Sequence, residues 1–222
     1  MYKQKEETMR KQQKKVSRIL NIIKNHIYNN IKLYIVVAIL FLIGIIIGVI
    51  FANNVNLETQ NNVTEYIREF TKSLKNNYEI DSTNLLKNLI IKDIILTLFM
   101  WFMGCTLIGI PIVYLTIVFK GFSFGYTISS IILSLGIGKG SLFCVLSMLL
   151  QNIIIIPTII CMAVSGAKVY KSVIKDKRKE NVKLEIIRHT MLSICMLILL
   201  IFSSIVETYI SSKLLLLSIN IM

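Results

Sequence analysis

Five apolar runs alternate with polar, charged segments along this chain, at about 33–52, 94–119, 122–138, 141–165 and 190–210. Most approach the roughly twenty residues that a helix needs to cross a hydrocarbon core at ~1.5 Å per residue. The pattern predicts an all-α, multi-pass transmembrane helical bundle of about five spans. A soluble domain would instead distribute its apolar residues among short elements broken by polar ones. Only two prolines occur, so the helices run mostly unbroken.

The breaks between runs carry the organisation. Leu33–Ala52 holds no charge, and its Gly44 and Gly48, four apart, allow close approach of a second helix. The second run contains Gly109 and Pro111; a proline there kinks the helix and frees the carbonyl of Leu107. Lys120-Gly121 then reads as a tight return, 122–138 as a short third span, and Lys139-Gly140 as the next turn. A re-entrant pair over 120–140 satisfies the same pattern. In the polar stretch 53–92, Val63, Ile67, Phe70 and Leu74 fall on one helical face, giving an amphipathic helix of about three turns. A second short helix around Leu85–Ile91 is expected to lead into the next span.

Charge sets the expected orientation. The net charge is +13, but the cations gather beside apolar runs and not in a nucleic-acid-binding stripe. The arm 1–32, the loop 166–189 and Lys120 carry eighteen Lys and Arg, against seven in 53–92, Lys139 and Lys213. Enrichment of cations in cytoplasmic flanks puts the N-terminus inside, with 1–32 a basic cytoplasmic arm, 166–189 a basic cytoplasmic loop and 53–92 extracytoplasmic. Within the arm, Val16, Ile19, Leu20, Ile23 and Ile27 recur at helical spacing, as on a surface-lying amphipathic helix, and the segment reads as a juxtamembrane arm and not as a cleaved signal peptide.

Candidate chemistry is sparse. Cys105, Cys144, Cys161 and Cys195 all lie in apolar runs and form no CxxC pair. His26 and His189 are remote from each other and from any cysteine, and no paired carboxylates or phosphate-cradling loop appear. No enzyme activity, cofactor, metal or small-molecule substrate is expected. Asp93 with Lys92, and Glu207, read as interfacial groups, leaving the span interiors without an ionisable residue. Gln151-Asn152, five residues before Pro157, is the polar exception. It reads as an interhelical clasp that also bonds carbonyls freed by Pro157; the other reading is a polar path through broken helices.

Two stretches, Lys120-Gly121-Phe122-Ser123-Phe124-Gly125-Tyr126-Thr127 and Gln151-Asn152 followed by Pro157, go beyond composition. With the first span, the forty-residue polar loop and Gly109-Ile110-Pro111, they make the chain resemble the stage II sporulation protein M family. That family typically has a proline just before the Gln-Asn pair, where this chain has Leu150. The resemblance implies a non-enzymatic protein of the mother-cell septal membrane. There it would anchor and recruit the peptidoglycan-processing stage II sporulation proteins D and P for forespore engulfment. The loop stripe Val63, Ile67, Phe70 and Leu74 is then the candidate docking surface, the competing role being to rest on membrane lipid or on the protein's own spans. A small transporter or channel is the alternative function.

Overall fold

The computed structural model of the protein describes residues 27–75, 81–175 and 179–221, so the amphipathic pattern read in 1–26, and His26, lie outside the described residues. The helices are α1 (Ile31–Asn54), α2 (Leu57–Lys75), α3 (Ser82–Cys105), α4 (Gly109–Leu135), α5 (Ile137–Cys144), α6 (Leu150–Lys175), α7 (Lys179–Val206) and α8 (Ser212–Ile221). Two π-helical turns, Val145–Leu149 and Glu207–Ser211, join α5 to α6 and α7 to α8. Five stretches are long and apolar enough to cross a membrane: Ile31–Asn54, Ser82–Cys105, Gly109–Leu135, Gln151–Ile174 and Val182–Leu216. The protein is an all-α, multi-pass helical bundle.

Because α1 is apolar on every side, hydrophobicity cannot choose which face it buries; residue size does. Its buried residues are Val37, Phe41, Gly44, Gly48 and Ala52, a stripe of large side chains passing into small ones. That stripe meets α4, whose Gly121 and Gly125 are also buried. A Cβ on Gly44 would come within 3.0 Å of the Val118 carbonyl oxygen, and one on Gly48 within 3.0 Å of that of Phe122. Reciprocally, a Cβ on Gly121 would collide with the Phe41 carbonyl and one on Gly125 with that of Ile45. Four glycines thus bring two backbones into direct contact, as close packing between lipid-embedded helices requires. The register is parallel, since both partner numbers rise together, and Asn53 Nδ2 continues it by donating to Ser129 Oγ at 3.2 Å.

The central core, Val37, Phe41, Met100, Val113, Ile117, Ile159, Met162, Ala163 and Val164, joins α1, α3, α4 and α6. At the end of the bundle that bears α2, a second cluster of Leu74, Ile131, Phe143 and Cys144 draws α2, α4 and α5 together, with Leu215 and Leu216 of α8 against it. At the opposite, basic end, Glu185 on α7 bonds Arg188 at 2.6 Å and lies 3.9 Å from Lys168 on α6.

Most of 166–189, read as a loop, is helical, and the last two spans shift to Gln151–Ile174 and Val182–Leu216 because their apolar faces run on past the cations. Three further boundaries change. The second span starts at Ser82, not 94, because Asp81 caps it: its carboxylate accepts the backbone N–H groups of Thr83 and Asn84, both at 3.1 Å. Those bonds, led by the one from Asn84, hold the Asp81 carboxyl below the usual carboxylate range. The expected short helix at 85–91 is simply the first part of α3. The same span ends at Cys105 instead of 119, and Pro111 does not kink it. Pro111 is the third residue of α4, where a missing N–H leaves no helical bond unmade. Gly109 makes the turn possible, since a Cβ there would strike the Met103 carbonyl.

The third correction concerns Lys120-Gly121, which is not a turn. α4 runs through it from Gly109 to Leu135, so 122–138 is no separate span and the re-entrant pair does not form. The reversal falls at Gly136, whose φ of +84° suits a residue without a Cβ. Removing Lys92 and Lys120, which lie near the middle of their helices, leaves seventeen cations toward the basic end and six toward the other. We expect that, in a cysteine-free background, cysteines at 107 and 139 react with an impermeant maleimide from opposite faces of the membrane. A cysteine at 120 should react from neither; labelling of 120 as fast as 139 would restore the turn.

A polar cluster buried between the spans as candidate functional site

The continuous α3 and α4 place ionisable residues at mid-depth. Asp93 is the twelfth of the 24 residues of α3, about 17 Å from each end. Lys120 is the twelfth residue of α4. Its neighbour Gly121 abuts Phe41, the ninth residue of the uncharged twenty-residue run Leu33–Ala52. Lys120 and Asp93 therefore share the middle of the bundle, half-buried, each within the electrostatic reach of the other. Asp93 Oδ2 also accepts a hydrogen bond from Ser204 Oγ of α7 at 2.5 Å. The expectation of span interiors free of ionisable groups is overturned. The apparent interface at Lys92-Asp93 came from starting the span twelve residues late.

One turn beyond Ser204 stands Glu207, the first residue of the second π turn. It is half-buried, beside the Gln151 amide, and lies in the fields of Asp93 and Lys92. It is not the solvated interfacial carboxylate its place in the sequence implied. The two π turns face each other across the bundle. A π turn carries one residue more than an α turn and loosens the backbone ladder, a distortion concentrated at functional sites. Here the two turns frame a cavity of about 550 Å³ that opens beneath α2, its polar lining including Gln151, Glu207 and the hydroxyl residues Ser73, Ser147, Ser211 and Ser212. Gln151 Oε1 and Ser211 Oγ are buried there with no hydrogen-bond partner among the described residues. Two oxygens of the cluster, both shielded from solvent, thus lack a partner among the described residues behind the cavity wall.

The remaining candidates sort by position. Gln151 belongs to this cluster; its backbone carbonyl also accepts Ser203 Oγ at 3.2 Å. Asn152 turns back into its own helix, donating to the Met148 carbonyl at 2.8 Å, so it satisfies the π turn and forms no clasp with another helix. Pro157 is exposed, at the edge of an apolar groove between α1, α6 and α7 where Tyr34 Oη and Cys161 Sγ lie 3.2 Å apart. Phe122 stacks on Tyr126 with centroids 6.1 Å apart and also packs against Phe51 of α1. Gly109, Pro111, Gly121 and Gly125 shape helix ends and seams. His189 is fully buried at the basic end, its Nδ1 3.0 Å from Ser165 Oγ, where Gly104 leaves room for the ring. Among the described residues no three His, Cys, Asp or Glu side chains converge as metal ligands.

The amphipathic stripe of α2 turns inward. Leu74 is buried in the second core, Ile67 packs against it, and Val63 faces α4 beside Thr64, whose hydroxyl meets Ser134 Oγ at 3.2 Å. Of the four docking candidates only Phe70 keeps substantial exposure, at 44%. Leu74 and Ile67 thus pack on the protein's own helices, while Phe70 is left exposed. The face turned to solvent mixes Glu58, Glu65 and Glu69 with Arg68 and Lys72 and carries Tyr66, 71% exposed.

The sequence model of the family described as Stage II sporulation protein M matches residues 37–212. The chain belongs to the stage II sporulation protein M family. Comparison with curated proteins and with solved structures finds no match. The family match spans both glycine pairs, the whole Asp93–Lys120–Gln151–Glu207 cluster and both π turns. This family member is a sporulation-related membrane protein.

Proposed function

We propose that this member of the family is a non-enzymatic membrane anchor of the mother-cell septum. It recruits the peptidoglycan-processing stage II sporulation proteins P and D for forespore engulfment. Its N-terminus is cytoplasmic, as the seventeen-to-six cation imbalance favours, and α2 therefore stands on the extracytoplasmic side. The observation that carries the reading is the mounting of α2. Its apolar stripe is pinned to α4 and α5, so its charged, tyrosine-bearing face is held outward at low ordering cost to a partner.

The test is septal recruitment of protein P, followed by fluorescence in sporulating cells. Tyr66→Ala with Glu69→Lys is expected to abolish septal enrichment while membrane levels of the variant stay normal. Full enrichment with that stably inserted variant would remove α2 as the docking face. Ile67→Asp is unsuitable, because it would strike the packing beneath α2.

A second reading, a small transporter or channel, is favoured by one specific observation: Asp93, Lys120 and Glu207 lie within the spans, where ionisable groups commonly mark ion or substrate pathways. Ion flux through proteoliposomes that depends on Asp93 and Glu207 would select it over the anchor.

A further inference from the structure

We propose that the cavity under α2 binds a primary ammonium group carried on an apolar body. This goes beyond recruitment and does not depend on it. The polar lining of the cavity comes from Glu207, Gln151, Ser73, Ser147, Ser211 and Ser212, and Gln151 Oε1 and Ser211 Oγ lie just behind its surface without a partner among the described residues. Ser211 is only 3% exposed, yet its hydroxyl has no partner among the described residues, as is true of the buried Gln151 oxygen. Buried polar atoms left unbonded are costly, and an unfilled acceptor asks for a donor. An ammonium supplies three N–H donors and one positive charge in a compact group.

Charge and size narrow the ligand. The lysine at this depth, Lys120, belongs to the Asp93 side of the cluster and does not line the cavity; Lys92 is exposed and does not line it either. Glu207 is the single carboxylate in the lining. One carboxylate with neutral oxygens matches a singly charged group, whereas a divalent cation gathers more anionic ligands. The volume of about 550 Å³ greatly exceeds the need of an ion or a few waters and falls in the range of organic ligand sites. Its other walls are Phe70, Leu74, Leu85 and Leu215, apolar surfaces suited to a hydrocarbon body, with the Phe70 ring available to a cation.

Two sources carry this chemistry: the headgroup of phosphatidylethanolamine and a free alkylamine. The cavity lies on the α2 side of mid-depth, between Glu207 and the helix over the bundle end, a height that a headgroup can reach.

The experiment uses the full chain purified in detergent with phosphatidylcholine, its thermal unfolding followed during titration with phosphatidylethanolamine, n-hexylamine or n-hexanol. Either amine is expected to raise the Tm by several degrees at saturation, while hexanol leaves it unchanged. Response to phosphatidylethanolamine alone identifies the lipid as the source, and response to hexylamine alone identifies a free amine. Glu207→Gln should weaken the response at least about tenfold, the loss of a charge-assisted bond. Ser211→Ala, which removes only one hydroxyl, should weaken it several-fold, and it keeps the test decisive if Glu207→Gln does not fold. The proposal is overturned if neither amine stabilises the protein, if hexanol matches hexylamine, or if Ser211→Ala and every folded Glu207 variant respond as the parent does.

Discussion

Replacing Gly121 by valine forces α1 and α4 apart. The new Cβ would meet the carbonyl oxygen of Phe41, a backbone atom that no rotamer change can move aside. Overpacking against yielding side chains already costs about 1–3 kcal/mol, and a rigid backbone neighbour places this substitution at or above the top of that range. Separation also removes the matching contacts at Gly44, Gly48 and Gly125, because all four positions share one seam. The expected result is loss of the monodisperse peak in size-exclusion chromatography and a fall of many degrees in unfolding temperature. Gly138→Val is the control: a Cβ at Gly138 meets nothing within 4 Å, so that variant should keep the parent's profile. A stable Gly121→Val protein would mean that α1 and α4 do not pack through their glycines.

The second large effect is charge removal at mid-depth. Lys120→Met leaves Asp93 in the bundle with a serine hydroxyl but without its nearby cation, and Asp93→Asn strands the ammonium. Asp93 and Lys120 interact through space without forming a contact ion pair, so leaving either half-buried charge without the other costs about 1–2 kcal/mol, and replacing both costs less. Each single variant should lower folded yield and unfolding temperature, and the double variant should recover much of the loss. The double-mutant cycle reads the coupling directly. Purely additive losses would show that the two charges do not act on each other across α3 and α4.

The fold class was legible because lipid imposes it: a run of about twenty apolar residues has few alternatives to a helix. The first span, Leu33–Ala52, lost only its end residues to the prediction, for it lacks any charge to blur its limits. The family motifs were legible as well, although their physical meaning was not. Lys120-Gly121 looks like a turn because a lysine rarely sits at mid-depth and glycine breaks soluble helices. Within the bundle the lysine lies in the field of a carboxylate on α3, and the glycine has the α1 backbone. Both reasons are tertiary, so local pattern missed them.

The buried cluster was hidden by the start of α3. Asp81-Ser82-Thr83 is a helix-start signal, and Leu85, Leu86, Leu89 and Ile90 already supply an apolar face before Lys92. Weighting that cap would have placed Asp93 in mid-helix from sequence alone. Glu207 could not be found in this way. Its role depends on a π turn, which leaves no mark in residue periodicity, and on Gln151 arriving from another helix. For α2 the apolar stripe was correctly seen, but periodicity cannot tell a face that binds a partner from one that rests on the chain's own helices.

The π turns also determine where the chain tolerates a change of length. Elsewhere in a span, losing one residue rotates everything beyond it by about 100° and swings the glycine seam or the core away from its neighbours. Within 145–149 or 207–211 the surplus residue can be lost and the stretch relaxes to ordinary α-helix, with both flanks keeping their facing. A single deletion at either place would close the gap beneath α2 and leave the bundle standing. The hollow and the scaffold around it are thus separable by one codon.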